Sequence, residues 1–261
     1  MLVTFVGCAG VGKNTIIDEL IKRYPQKYRI LPTLTTREMR KGETQGNPYY
    51  FVSKAEFLKL LDDGELYEHE FIHNSDYYGG SKRILRECVQ EGKVLLKDID
   101  VLGSATLKKK LSDQMRVMAI FLYVEDKNTL LERMRGRGNS EEEILNRSKR
   151  FDFEMERSYE NEYMLNNVYI KDTADIAAYI LEIEAQNGIY RPSKSASEVD
   201  KSKLEQARND IKNGKRLESV ILTYNGLELL VTDGYERYLA AGEANAFIQK
   251  KIVSPTDTSI I

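Results

Sequence analysis

Residues 7–15 read GCAGVGKNT and follow the apolar run LVTFV at residues 2–6. A short run rich in β-branched and aromatic side chains, without polar alternation, reads as a strand buried on both faces of a parallel sheet. The next segment, NTIIDELIKRY, carries apolar residues at helical spacing. Strand, glycine-rich turn and helix together aim backbone N–H groups and the positive end of a helix at one point, which is the geometry of an anion cradle. The spacing G-x-x-x-x-G-K is that of a phosphate-binding loop. It makes Gly7, Ala9, Gly10, Val11, Gly12, Lys13, Asn14 and Thr15 candidates for a nucleoside triphosphate, with Lys13 neutralising the terminal phosphates. The residue after the lysine is ordinarily a hydroxyl that ligates Mg²⁺. Here it is Asn14, and Thr15 arrives one position late. An amide oxygen is also a hard donor, so Asn14 is the metal candidate, with a longer reach. The bland alternative, a chance glycine turn, is disfavoured by the strand and helix on either side.

The rest of the chain reads as α/β. Buried strands are expected at VLLKDID (94–100) and MAIFLYV (118–124), and helices at NTLLERMRGR and EEEILNRSKRF. NNVYIKDTADIAAYILEIEA supplies a last strand and helix ending near residue 186. Alternation of this kind predicts a parallel sheet covered by helices on both faces. Residues 33–92, rich in Tyr, Gly and charge, read as an inserted mixed subdomain. The composition shifts at 186–202 toward Gly, Pro, Ser and charge, a linker signature. A small α/β module is expected beyond it: helix KLEQARNDIKNGK, two strands around an Asn-Gly turn, and helix YERYLAAGEANA. The 261 residues carry a net charge of -2, so no global basic field points to nucleic acid. Cys8 and Cys88 lie in no metal spacing and are expected to be reduced thiols, with the cytoplasm as the expected compartment. MLVTFVG lacks the flanks of a leader, and no run is long enough to span a membrane.

Four further constellations carry chemistry. In TLTTREMRKGETQGNPYYFVS (33–53), Arg37 and Arg40 precede Tyr49 and Tyr50, and guanidinium and phenol groups suit a phosphate monoester. A loop of solvated arginines is the competing reading. In ELYEHEFIHNSDYYGGSK (65–82), Glu68 can accept from N1–H and the 2-amino group of guanine together, whereas adenine offers it no such donors. His69 and His73 read as packing or surface residues rather than ligands. KDID sets Asp98 and Asp100 at a strand end, where open α/β sheets bind ligands, and alternation would place both on one face. Lys97, inside an apolar strand, needs a partner and is expected to point to an edge or a cleft. In ERMRGRGNSEEEILNRSKR (132–150), Arg133, Arg137 and Arg147 flank a glycine turn and could close on a transferring phosphoryl group. A helix face paired with Glu141 to Glu143 competes with that reading.

In this order the five blocks resemble the guanylate kinase family over residues 1–186, with 33–92 as the GMP-binding subdomain and 133–150 as the lid. The resemblance implies a P-loop NTPase fold, ATP and GMP as substrates, and Mg²⁺. It implies that Thr33, Glu68 and Asp98 read the guanine, that Arg37, Arg40, Tyr49 and Tyr78 hold the GMP phosphate, and that Asp100 supports substrate or metal water. It implies that Lys13, Arg133, Arg137 and Arg147 act on the phosphoryl group. The chain departs from the family at Asn14, at Pro48, at Gly80, where a hydroxyl residue usually stands with Ser81 next to it here, and at Lys171 near the adenine. Residues 190–253 resemble the ParB/sulfiredoxin-like small domain through Asp233, Gly234 and Arg237, which implies DNA or a second nucleotide as a partner of a 187–261 domain. Left open are a family member that binds without turning over, a different phosphorylated acceptor, a packing role for the tail, and the oligomeric state.

Overall fold

The computed structural model describes residues 1–40, 42–72, 76–193 and 198–254. In chain order the elements are β1 (Leu2–Val6), α1 (Lys13–Arg23), β2 (Tyr28–Ile30), β3 (Thr33–Thr35), β4 (Tyr49–Phe51), α2 (Lys54–Asp62), β5 (Leu66–Ile72), β6 (Asp76–Ser81), α3 (Lys82–Gln90), β7 (Val94–Asp98), α4 (Val101–Leu111), β8 (Val117–Tyr123), α5 (Lys127–Gly136), α6 (Glu141–Ser148), α7 (Phe151–Glu156), β9 (Tyr163–Asn166), α8 (Ile170–Ala185), β10 (Arg191–Pro192), α9 (Lys201–Lys212), β11 (Val220–Tyr224), β12 (Leu229–Asp233), α10 (Tyr235–Glu243) and β13 (Lys250–Val253). No helix among the described residues is long and apolar enough to cross a membrane. The chain divides into two compact units, Met1–Phe5 with Ile17–Met118, and Val6–Ile16 with Ala119–Ile261.

In the first unit β1, β7 and β2 form a parallel ladder with Leu2 opposite Leu95 and Tyr28 opposite Val94. Leu2, Val3 and Phe5 are fully buried, as a continuous apolar run requires when both faces are covered. The expected insert is a four-stranded sheet in the order β4-β3-β6-β5 with α2 and α3. Ser53 and Glu56 form a capping box at α2, and Ser81 caps α3. Leu34, Phe57, Leu85, Leu95 and Leu107 share one apolar cluster.

The second unit holds a ladder in the order β10-β12-β11-β13-β9-β8. β8 and β9 are parallel with Ile120 opposite Tyr163, and β13 pairs in parallel with both β9 and β11. The strands of the tail therefore extend the sheet that carries β8 rather than forming one of their own. Asn225 and Gly226 make the expected hairpin turn, with Asn225 Oδ1 accepting from the N–H groups of Leu227 and Glu228 at 2.9 Å each. The strand before α8 differs from expectation. It is Tyr163–Asn166, with Tyr163 and Leu165 at 0% and 1% exposure, while Val168, Tyr169 and Ile170 are exposed. Register against β8 decides this: Asn167 N–H donates to the Tyr123 carbonyl and ends the pairing.

Side chains as well as the ladder bind the tail to this sheet. Gln249 Nε2 donates to the Ser158 carbonyl at 2.7 Å and the Asn161 carbonyl at 3.3 Å, at 5% exposure. Tyr163 hydrogen-bonds Glu184 and, at 3.0 Å, Tyr190, whose backbone N–H donates to the Tyr238 hydroxyl. Ile252 is 1% exposed and faces Leu165 and Leu222 in register. Ile252→Ala is expected to cost about 2–5 kcal/mol from the cavity it leaves. Gln249→Ala is expected to cost about 1–3 kcal/mol, because the Asn161 carbonyl loses its donor and the Ser219 hydroxyl its acceptor. Scanning calorimetry should show both losses in the transition that also melts β8 and β9. A tail melting as a separate step would contradict the shared sheet.

Candidate functional site

The glycines of the loop are fixed by what lies against them. A Cβ on Gly7 (φ +133°) would lie 2.1 Å from the Leu122 carbonyl oxygen, and one on Gly12 (φ +98°) would lie 2.7 Å from Asn167 Nδ2. No side chain fits at either position, so the backbone can turn directly into α1. The helix begins at Lys13, with its first bond from Ile16 N–H to the Gly12 carbonyl. Its first-turn N–H groups open toward the loop. Lys13 Nζ donates to the Gly7 carbonyl at 2.7 Å and to the Cys8 carbonyl at 3.4 Å, so the ammonium lies within the loop's own curl. Val11 is fully buried and its carbonyl accepts from Asn167 Nδ2 at 2.6 Å. Asn14 is exposed on the first turn. Thr15 lines a cavity of about 650 Å³ with Gly12, Arg133, Arg137, Asn167, Tyr169 and Lys171.

Arg133 is half-buried, and Nη2 donates to the Asn167 carbonyl at 3.0 Å. Burial and the neighbouring charge of Arg137 lower its pKa. Arg137 closes the C-terminus of α5 and is exposed. Arg147 is exposed in the last turn of α6 and stands outside the cavity lining. Two members of the acidic face expected to compete for these arginines hydrogen-bond other groups, while the charge of Arg147 still acts on Glu143. Glu141 takes both forks of Arg135, at 2.7 and 3.0 Å, and Glu143 forms a capping box with Ser140.

The first unit gathers a second set. Arg37 is held by both oxygens of Glu43, at 2.8 and 3.0 Å, and lies 5.4 Å from the Tyr49 ring centroid and 5.3 Å from that of Phe51. Glu43 also accepts from the backbone N–H of Arg40 at 2.7 Å, while the Arg40 side chain is exposed. The Arg37 hydrogen bond and the Arg40 N–H hold Glu43 below the usual carboxylate range. Tyr49 and Tyr78 meet edge to face at 6.0 Å, and burial, then the charge of Asp98, pushes the Tyr49 phenol up. Sequence reasoning missed Glu43; its signal is the glutamate three residues after Arg40.

Thr33 and Glu68 flank Gly80. Glu68 is the register partner of Gly80, and the pairing of Leu34 with Gly79 sets Thr33 across from Gly80 one step on. A Cβ on Gly80 would lie 1.9 Å from the Tyr67 ring, so that ring fills the space of the side chain this chain lacks. The next residue, Ser81, is 4% exposed, and its hydroxyl caps α3 by accepting from Ile84 N–H. Burial raises the pKa of Glu68, against the charges of Lys97 and Lys110. β7 ends at Asp98, so Asp98 and Asp100 do not share a strand face as the alternation predicted. Asp100 instead caps α4, with Oδ1 accepting from Gly103 N–H at 2.7 Å. Lys97 points where its burial demands a partner, to Thr33 Oγ1 at 2.5 Å. His69 is exposed, and His73 lies outside the described residues.

In the tail Gly234 takes φ +77° at the start of α10, and Arg237 folds back over it. The guanidinium donates to Asp233 at 2.7 Å and to the Ser219 carbonyl at 3.2 Å, so all three tail candidates meet at one strand-to-helix corner. Arg237 also lines a cavity of about 530 Å³ with Lys203, Arg216, Glu218 and Glu236. No cluster of three or more metal-ligating His, Cys, Asp or Glu side chains occurs among the described residues.

A glycine loop at the end of a buried strand, with lysine inside its curl and arginine beside it, defines a nucleotide-phosphate-binding α/β protein. Comparison with known proteins narrows the class. The guanylate kinase family model matches residues 1–184. A guanylate kinase from Streptococcus thermophilus is 34% identical over 186 residues, covering 70% of this chain and 87% of that one. One from Chlorobium luteolum is 37% identical over 144 residues, covering 55% and 71%. The crystal structure of guanylate kinase from Anaplasma phagocytophilum matches with a TM-score of 0.53 at 28% identity, covering 70% of this chain and 85% of that one. The chain belongs to the guanylate kinase family.

Cys8 belongs to the loop but not to its chemistry. Its thiol is 3% exposed, donates toward the Phe151 carbonyl at 3.8 Å, and is pushed up to about 12 by burial and the Glu154 carboxylate. Cys88 is fully buried, and burial raises it as well. Folding thus favours the neutral thiol at both sites. That contribution is complete below the ordinary thiol pKa and is lost as the pH rises through the folded value. At pH 8 the native protein is expected to resist iodoacetamide at both cysteines, and denaturant should expose two labels by mass. Rapid labelling of native Cys8 would contradict its burial.

Proposed function

We propose that this chain transfers the γ-phosphoryl group of ATP to GMP, giving ADP and GDP. The observation that carries the reading is the acceptor cluster. Arg37 is oriented by Glu43 beside Tyr49 and Tyr78, in the same small sheet that presents Thr33 and Glu68. Arginine and phenol groups suit a phosphate dianion, and a carboxylate accepts from N1–H and the 2-amino group of guanine. An ionised GMP phosphate oxygen is already a nucleophile, so no general base is required. Catalysis then consists of positioning and charge neutralisation.

In this reading the loop N–H groups and Lys13 hold the ATP phosphates, and the cavity beside Thr15, Asn167 and Tyr169 takes the nucleoside. Arg133 and Arg137 stabilise the charge that spreads over the transferring group, and Arg147 joins them when its helix moves. Mg²⁺, when bound with ATP, draws charge from the phosphate oxygens. Asn14 fits as its one protein donor, because an exposed amide oxygen on the first turn is a hard ligand and Mg²⁺ keeps most of its other positions for phosphate and water. Asp100 supports water near the substrates while its other role, capping α4, fixes its place. In the tail, the ParB-like reading assigns Asp233, Gly234 and Arg237 to DNA or a second nucleotide. Their mutual hydrogen bonds support the plainer role of holding a corner of the sheet extension.

A second reading keeps GMP binding without turnover, favoured by Asn14 in place of a hydroxyl and by Gly80. ADP formation from Mg-ATP with GMP, dGMP, AMP and UMP separates the two. Turnover best with GMP, lowered by about 10²–10³-fold in Lys13→Ala, is expected, the range for removing one group that stabilises transition-state charge. GMP binding with no turnover of any acceptor would establish the second reading. Asn14→Ser is expected to lower the Mg²⁺ concentration needed for half-maximal rate. An unchanged Mg²⁺ requirement would remove Asn14 from the metal site.

A further inference from the structure

We propose that Lys97 is a positioning residue that sets the base specificity of the acceptor site, by holding the Thr33 hydroxyl as an obligate hydrogen-bond donor toward a 6-oxo purine. The proposal rests on the acceptor reading above and adds a residue to it.

Lys97 lies in β7 between Leu96 and Asp98, in a strand whose Leu95 and Leu96 are 1% and 0% exposed. It is itself 2% exposed. An ammonium in that position is costly, and an apolar residue would serve the strand better. The side chain leaves β7 to reach Thr33 Oγ1 in β3 at 2.5 Å. Burial lowers its pKa, while the carboxylates of Glu68 and Asp98 act in the opposite direction. Lys97 Nζ therefore stands as a donor to Thr33 Oγ1 among the groups proposed to read the base, with two carboxylates favouring its charged form.

The hydroxyl chemistry follows. An ammonium has three N–H donors and no lone pair, and a threonine hydroxyl has one hydrogen and two lone pairs. Thr33 Oγ1 must accept from Lys97, so its own hydrogen points elsewhere and seeks an acceptor. Thr33 and Glu68 stand in one row on either side of Gly80. Gly80 contributes no side chain, and the neighbouring Ser81 is 4% exposed at the start of α3. A base whose N1–H and 2-amino group donate to Glu68 carries its 6-substituent next to N1. A 6-oxo group accepts from Thr33. A 6-amino group presents hydrogens to a hydroxyl that also presents hydrogen. The pair therefore rejects adenine at position 6, independently of the rejection at N1 by Glu68. IMP keeps the 6-oxo group and N1–H and lacks the 2-amino group, so it removes only the 2-amino contact with Glu68 and leaves the contact at position 6 in place.

The test is equilibrium binding of GMP, IMP and AMP to the full chain and to Lys97→Met, which has similar length and no charge, with ATP binding and thermal stability measured alongside. Lys97→Met is expected to weaken GMP and IMP by a similar factor of about 10 to 100, the range for an oriented bond at a buried site. The preference over AMP should shrink and ATP affinity should hold, while the melting temperature should fall as the buried Glu68 loses its partner charge. Thr33→Val should weaken GMP equally, and the double variant should add little. Unchanged GMP selectivity in a folded Lys97→Met overturns the proposal. So does a weakening of GMP and ATP together, which would make Lys97 structural. If the wild-type chain itself binds no purine monophosphate, the acceptor reading fails and the proposal falls with it.

Discussion

The Leu122 carbonyl oxygen occupies the place where a Cβ on Gly7 would stand. Much of the second unit's chemistry follows from that contact. A chain leaving a buried strand must keep its amides hydrogen-bonded or aim them at something else. With no side chain at Gly7 or Gly12, the loop can curl tightly and deliver the start of α1 within reach of its own carbonyls. Lys13 then lies inside the curl. Asn167 seals the far side by donating to the Val11 carbonyl, and Arg133 is anchored to the Asn167 carbonyl in turn. One backbone constraint thus orients a lysine, an asparagine and an arginine that are far apart in sequence.

The small sheet of the first unit solves a different problem, which is to hold several charges together. Each has an identifiable counterweight. Glu43 takes Arg37 by two oxygens and also fixes the Arg40 backbone, so one carboxylate orders the loop bearing both arginines. The part-buried setting of this pair makes it worth more than an exposed ion pair, whose contribution is about 0–1 kcal/mol. Glu68 and Lys97 are each penalised by burial and each favoured by the other's charge. Breaking one side of such a pair is more harmful than replacing both. The Tyr67 ring over Gly80 shows the same interdependence in packing: a larger residue at 80 requires a smaller one at 67.

The tail answers the problem of an exposed edge. β9 would otherwise present unpaired backbone groups, and β13 covers them in parallel register. Lys250 stacks over Tyr163 at 4.8 Å, and Gln249 satisfies two carbonyls beyond the strand. The linker composition after residue 186 marks a change in chain character. It does not mark the end of a sheet, because pairing partners are chosen in space.

The sequence by itself determined the fold class, the loop and its helix, the Asn-Gly hairpin and the family. Those features rest on local rules: apolar period, glycine spacing, turn chemistry and an ordered set of motifs. Lys97 could be singled out in the sequence as a charge needing a partner, because burial is implied by its apolar neighbours. Its partner, Thr33, lies 64 residues away, and only the tertiary structure decided it. The same holds for the division of Asp98 and Asp100 between a strand end and a helix cap, for the Tyr67 ring in the space above Gly80, and for the place of β13 beside β9. Strand register, cap formation and side-chain volume are settled by contacts between distant segments, and no local pattern carries that information.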